Sequence, residues 1–171
     1  NALPAAPTIT ASGPVEFCDG GSVVLTSSEA AGNAWSSSET TETITVTESG
    51  DYTTIYTDAS GCSSAASAAT TVTVNALPAA PTITASGATT FCDGGSVVLT
   101  SSQATGNAWI DGEDTETITV TESGDYTTVY TDASGCSSAA SAATTVTVNA
   151  LPAAPTITAS GATTFCDGGS V

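Results

Sequence analysis

The stretch Asn-Ala-Leu-Pro-Ala-Ala-Pro-Thr-Ile-Thr-Ala-Ser-Gly begins at Asn1, again at Asn75 and again at Asn149, and each time Phe-Cys-Asp-Gly-Gly-Ser-Val follows a few residues later. The chain is therefore a tandem array with a period of 74 residues. A period of this length fixes the architecture before any single residue does, because each repeat must be one folding unit or must bury its apolar face against the next. Three units follow: 1–74, 75–148, and the opening of a third at 149–171. The pattern is cut at both ends, so the sequence reads as an excerpt of a longer mature protein.

Inside a repeat the apolar residues alternate over short runs, with a turn signal every eight to twelve residues or so. Thr8–Ser12 alternates and stops at Gly13, and Asp19-Gly20-Gly21 turns the chain into Ser22–Thr26, the clearest core strand. Thr43–Thr47 alternates so that Ile44 and Val46 share a face. Tyr52–Thr57 is a strand of ambiguous face, since Tyr52 and Tyr56 oppose Ile55, and Thr71–Val74 closes the unit. Six or seven short strands and no amphipathic helix predict an all-β fold, a β-sandwich with Greek-key connections. The expected core is Ile9, Phe17, Val23, Leu25, Trp35, Ile44, Val46, Tyr52, Val72 and Val74, with the same positions 74 residues on. The paired prolines Pro4/Pro7, Pro78/Pro81 and Pro152/Pro155 predict a stiff, extended linker at the start of each repeat.

Charge narrows the function classes. The chain has 17 acidic residues and no Lys, Arg or His. Nucleic-acid binding needs cations to displace counterions, and docking on anionic lipid needs them too; neither is expected. No apolar run approaches the length of a membrane span, so no membrane insertion is expected. General-base chemistry lacks His and Lys, the hydroxyls lack an activating partner, and the acids fall mostly in turns, so an enzyme is not expected. Without Lys there is no Lys–Asn isopeptide crosslink and, with Arg also absent, no trypsin site. No Asn-x-Ser/Thr acceptor occurs either.

The five cysteines follow the period: Cys18, Cys92 and Cys166 are one set, Cys62 and Cys136 the other. Two per complete repeat in a small β unit predict disulfides and an oxidising, extracellular location, secreted or on the cell surface. The expected pairing is Cys18–Cys62 and Cys92–Cys136, one per repeat, with the partner of Cys166 outside the sequence. Such a bond closes a loop of about 45 residues, worth on the order of 4 kcal/mol in the chain-entropy model. Spacing alone leaves Cys62–Cys92, across a joint, as the alternative, because the two cysteines of one repeat lie near its first and last hairpins.

No cofactor is expected, with calcium as the one candidate. Asp111, Glu113 and Asp114 sit within four residues, and oxygen ligands suit Ca²⁺. The equivalent positions of the first repeat are Ser37, Glu39 and Thr40, so the cluster is not copied and reads as a solvated loop. The first two repeats differ at ten positions, grouped at 14–16, at 29 and 31, at 36–40, and at Ile55/Val129. All but the last fall in expected turns, where a repeat protein adjusts contacts without changing its period.

The ordered motifs Phe-Cys-x-Gly-Gly-Ser-Val-x-Leu-Thr, a Trp, Thr-x-Thr-Ile-Thr-Val, Ser-Gly-x-Tyr-Thr, Thr-Asp-Ala-Ser-Gly-Cys and Thr-Val-Thr-Val-Asn resemble the immunoglobulin-like or PKD-like repeats of giant surface proteins of Bacteroidota, including gliding-motility adhesins and appendage proteins exported by the type IX system. The resemblance covers both full repeats and the start of the third. It implies tandem Ig-like sandwiches serving as a stalk or filament that spaces adhesive ends, with neighbouring repeats of the same chain as the first partners. A pitch on the order of 40 Å per repeat is expected from strand and linker lengths. Two alternatives are a ligand-binding adhesin module using loops 14–16 and 36–40 against another surface, and a fibre of several copies packed through charge-free patches such as Ser63–Ser67.

Overall fold

The computed structural model describes residues 2–164 and 166–168. Alternation of β-branched and polar residues gives eight short strands in each of the two complete repeats. In the first these are β1 (Ile9–Ala11), β2 (Glu16–Cys18), β3 (Val23–Ser27), β4 (Asn33–Trp35), β5 (Thr43–Val46), β6 (Gly50–Tyr52), β7 (Thr54–Tyr56) and β8 (Thr70–Asn75). The second repeats them as β9 (Ile83–Ala85), β10 (Thr90–Cys92), β11 (Val97–Ser101), β12 (Asn107–Trp109), β13 (Thr117–Val120), β14 (Gly124–Tyr126), β15 (Thr128–Tyr130) and β16 (Thr144–Asn149).

One layer of the sandwich is β1-β3-β5, antiparallel throughout. The other is built from β2-β8-β6 and β4-β7, with β6 and β7 separated only by Thr53. Here β2 runs parallel to β8 and β6 antiparallel to it. This strand order is that of an immunoglobulin-like sandwich, and two further signatures of that fold occur. Trp35, on β4, is buried and donates its Nε1–H to the Thr41 carbonyl at 2.8 Å. The hydroxyl of Tyr52, the last residue of β6, donates back to the Glu48 carbonyl at 3.1 Å, as a tyrosine corner does. Both recur at Trp109 and Tyr126.

Each repeat carries its own core. Val23, Leu25, Trp35, Ile44, Val46 and Val72 are buried together, with Ile9, Val15, Phe17, Tyr52 and Val74 packed against them. Val97, Leu99, Trp109, Ile118, Val120 and Val146 form the second. All ten residues expected in the first core are there; Val15, taken for a loop residue, joins them. The strand of ambiguous face resolves toward neither tyrosine nor isoleucine: Thr54 is the wholly buried residue and Ile55 is 37 % exposed.

Serine explains how so small a sandwich satisfies its backbone. Ser67 and Ser64 lie alongside β7, and their hydroxyls accept the N–H of Thr54 and Tyr56 at 3.1 and 3.0 Å. Their own N–H groups donate to the Thr54 and Tyr56 carbonyls. Within the Ser63–Ser67 patch Ser64 and Ser67 are buried in the sandwich, while Ser63, Ala65 and Ala66 stay exposed. Ser12 and Ser49 accept the strand N–H groups of Val24 and Val74 in the same way, and Ser28 and Ser36 those of Thr8 and Thr53 next to strands. A hydroxyl can both accept and donate, so it continues a ladder where no partner strand remains.

Candidate functional site: the joint between repeats

The linker is shorter than the paired prolines suggested. Pro81 is buried, and Thr82 already pairs with Ser102, so only a few residues after Asn75 separate the two sandwiches. Opposed poles of the repeats are thereby held close, and each pole presents a cysteine.

The first pole belongs to β2. Its parallel register sets Cys18 opposite Asn75, the last residue of the closing strand, so Cys18 lies where the chain leaves the repeat. Asp19 donates its N–H to the Asn75 carbonyl at 2.8 Å, and the Asn75 side chain donates to Glu16 Oε1 at 3.1 Å. The chain then turns through Gly20 at φ 88°. A Cβ on Gly21 would come within 2.9 Å of the Phe17 ring, so the Asp-Gly-Gly sequence is needed to bring the chain back over Phe17.

The second pole is the turn Asp132–Cys136. Asp132 Oδ1 accepts the N–H groups of both Ser134 and Cys136 at 2.9 Å, and its own N–H donates to the Cys136 carbonyl at 3.0 Å. Gly135 supplies the positive φ of 79°. An Asx turn of this kind fixes the backbone without a neighbouring strand, so the cysteine is held at a set position.

Cys18 and Cys136 are joined, with an S–S distance of 2.03 Å, across 118 residues of sequence. The expected pairings Cys18–Cys62 and Cys92–Cys136 are not the ones found, and neither is Cys62–Cys92: Cys62 and Cys92 are free, as is Cys166. The reason lies in the fold. Within one repeat, Cys18 sits at the pole where the closing strand ends, whereas the Asp58–Cys62 turn follows β7 at the pole that faces the preceding unit. The interior staple of an immunoglobulin domain is missing as well; its place is filled by Leu25, Trp35 and Thr54. The disulfide does not staple a sandwich; it staples two sandwiches to each other.

Burial records the contact. Cys136 is 0 % exposed, while Cys62, in the same turn of the other repeat, is half-buried. Cys18 is half-buried, while Cys92 is exposed. Loop 14–16 borders this joint: Glu16 holds Asn75, and Thr73 donates its N–H to the Val15 carbonyl at 2.8 Å. It is therefore partly strand and partly core, with Pro14 and Glu16 exposed. Loop 36–40 and its counterpart 110–114 are exposed, the latter showing Ile110 to solvent.

The calcium candidates lie in that counterpart loop. Asp111, Glu113 and Asp114 are all exposed, and Asp111 Oδ1 is contacted by the Glu113 N–H at 3.3 Å. Among the described residues no three acidic or cysteine side chains converge as a metal site. A shallow cavity of about 180 Å³ lies between Ser37, Glu39, the β5 edge and Tyr52, and one of about 190 Å³ lies at Asp111, β13 and Tyr126. Burial, and after it the nearby Glu48 and Glu39 carboxylates, raises the Tyr52 hydroxyl above its ordinary pKa of 10.0; for Tyr126 the causes are burial, then Glu122 and Asp111. The first groove is lined by the carboxylates of Glu39 and Glu48 and the second by those of Asp111 and Glu122, with no cationic group in either.

No family model matches the chain, and no curated protein matches it. Among solved structures it is similar to the human OSCAR ligand-binding domain, at 14 % identity and a TM-score of 0.35, covering 85 % of this chain and 100 % of that one. It is also similar to a chain in the crystal structure of a mouse coronavirus receptor-binding domain complexed with its murine receptor, at 15 % identity and a TM-score of 0.43, covering 83 % of this chain and 99 % of that one. At such TM-scores neither likeness carries a functional argument, and the Ig-like assignment rests on the strand order, the buried tryptophan and the tyrosine corner. Among the described residues no helix is long and apolar enough to cross a membrane.

Proposed function

We propose that the chain is a load-bearing section of an extracellular stalk or filament, a run of Ig-like units that spaces or presents adhesive ends on a bacterial surface. The observation that carries this reading is the covalent joint. A bond from Cys18 to Cys136 gives the chain a second path from one repeat to the next, so tension bypasses the strands between β3 and β15 and loads only β1, β2 and β16. Disulfides persist in oxidising compartments, which fits a site outside the cytoplasm. The charge supports the same picture: 17 carboxylates without a cation keep neighbouring stalks apart in dilute salt. The serine-built ladders and the absence of Lys and Arg give a surface with no trypsin site.

Electron microscopy of the native full-length material tests the proposal. Single rows of beads with a spacing of about 40 Å are expected, from strands of 3.3 Å rise per residue and a short linker. A thick bundle with repeats in register would replace the stalk with a multi-chain fibre.

A further inference from the structure

The layer β1-β3-β5 ends on a bare edge: among the described residues β5 has β3 on one side and no strand on the other, and β13 stands in the same place beyond β11. We propose that this edge takes up an extended, Lys- or Arg-bearing segment of a different protein, which adds a strand beside β5 and β13 and sets its cations against the carboxylates of the adjoining groove. The inference does not depend on the stalk reading.

The backbone at this edge is free to bond. Ser27 donates its N–H to the Glu42 carbonyl at 2.9 Å, and the register then sets Leu25 opposite Ile44 and Val23 opposite Val46. Bonded pairs of an antiparallel ladder fall two residues apart, so Ile44 and Val46 bond to β3 and Thr45 turns its N–H and C=O away from it. Thr45 is exposed, while Ile44 and Val46 are buried. Ser101, Glu116 and Thr119 repeat the arrangement on β13. The edges at β1, β2 and β4 are blunted. β1 has three residues and follows Pro4 and Pro7, β2 has three and ends at the disulfide, and on β4 the Trp35 N–H already donates to the Glu39 carbonyl at 2.9 Å. Neighbouring units leave the β5 edge open: it is bare in the first repeat, which has a unit after it, and in the second, which has one before it.

What the added strand carries follows from the groove. In the first repeat Ile44, Val46 and Tyr52 line it together with the carboxylates of Glu39 and Glu48. In the second, Val120 and Tyr126 line it with Asp111 and Glu122. Asp111 stands where the first repeat has Ser37, so the acids are placed differently, yet each groove keeps two. A Lys or Arg stem covers apolar surface while its head stays with charge, which suits an apolar floor beside paired carboxylates. The occupant comes from another protein, because this chain has no Lys, Arg or His and a second copy would bring 17 acidic residues of its own. In strand addition the main-chain bonds supply affinity and alternate side chains supply selectivity.

The test is a short blocked peptide of alternating Lys and Thr, titrated into the chain in dilute salt and followed by amide hydrogen exchange. Binding should slow exchange at the Thr45 and Thr119 amides, and a peptide of alternating Glu and Thr should not bind. Glu48→Gln with Glu122→Gln should weaken binding by up to about fivefold, the worth of one exposed ion pair in each groove. The Lys–Thr peptide N-methylated at every residue keeps its cations and should lose the protection. The proposal is overturned by a Lys–Thr peptide that does not bind, by one that binds without slowing those amides, or by an equal response to the Glu–Thr or the N-methylated peptide. Slowing that appears without peptide, on raising the concentration of the chain alone, would make a second copy the occupant and overturn it too.

Discussion

Pulling the oxidised chain by its two ends reads the joint directly. The Cys18–Cys136 bond encloses 118 residues, and at roughly 3.3–3.6 Å per extended residue it hides about 400 Å of contour. Only about 50 residues outside the loop can then lengthen, roughly 180 Å in all. Adding a reductant under constant tension should put the enclosed repeats under load, and their unfolding should then release a bond-dependent length totalling about 400 Å. Bonds within repeats make a different prediction. Cys18–Cys62 and Cys92–Cys136 would each hide a loop of about 45 residues, giving two releases of roughly 150 Å. Optical tweezers resolve these lengths easily. Two equal short releases, or an oxidised chain that already extends to its full length, would refute the covalent joint. The same loop is worth about 5 kcal/mol in the chain-entropy model, so Cys18→Ser should also lower the denaturation midpoint of the oxidised protein.

Three further outcomes follow from the packing and the titrating groups. Ser67→Ala strands the buried N–H of Thr54 and should cost about 1–3 kcal/mol in chemical denaturation, with Ser141→Ala doing the same through Thr128. Leu25→Ala, at a position with no exposure, should cost about 2–5 kcal/mol, and Leu99→Ala a similar amount, each measured as a loss in its own repeat's unfolding transition. Tyr52 and Tyr126 hold their protons more tightly folded than unfolded, so their contribution is complete below pH 10.0 and is lost as pH rises through the folded pKa. Denaturation midpoints should therefore fall above pH 10, and a Tyr52→Phe/Tyr126→Phe double variant should remove that fall.

The repeat, the strands and the core were legible because each rests on short-range pattern. Alternation at Thr43–Thr47 is enough to orient Ile44 and Val46, and a lone Trp among serines has nowhere to go but inward. What the pattern could not show is register between distant strands. That β2 runs parallel to β8, with Cys18 beside Asn75, is a long-range fact without a local signature. Without it the two cysteines of one repeat look like natural partners. A usable signal was nevertheless present: cysteines near the first and last hairpins of a sandwich fall at opposite poles, and then the partner must come from a neighbouring unit. The buried Thr54 was missed for a related reason. Its polar side chain hides the inner face of a strand whose backbone is capped by serines thirteen and eight residues away, at Ser67 and Ser64.

The most direct measurement on the joint is a digest of the unreduced protein with a glutamate-specific protease, read by mass spectrometry. Cleavage after the glutamates leaves Cys18 in fragment 17–29, Cys62 and Cys92 in 49–113, and Cys136 and Cys166 in 123–171. The covalent joint predicts 17–29 linked to 123–171 and separated from it on reduction. A link from 17–29 to 49–113 would pair Cys18 with Cys62 or Cys92 and contradict the account.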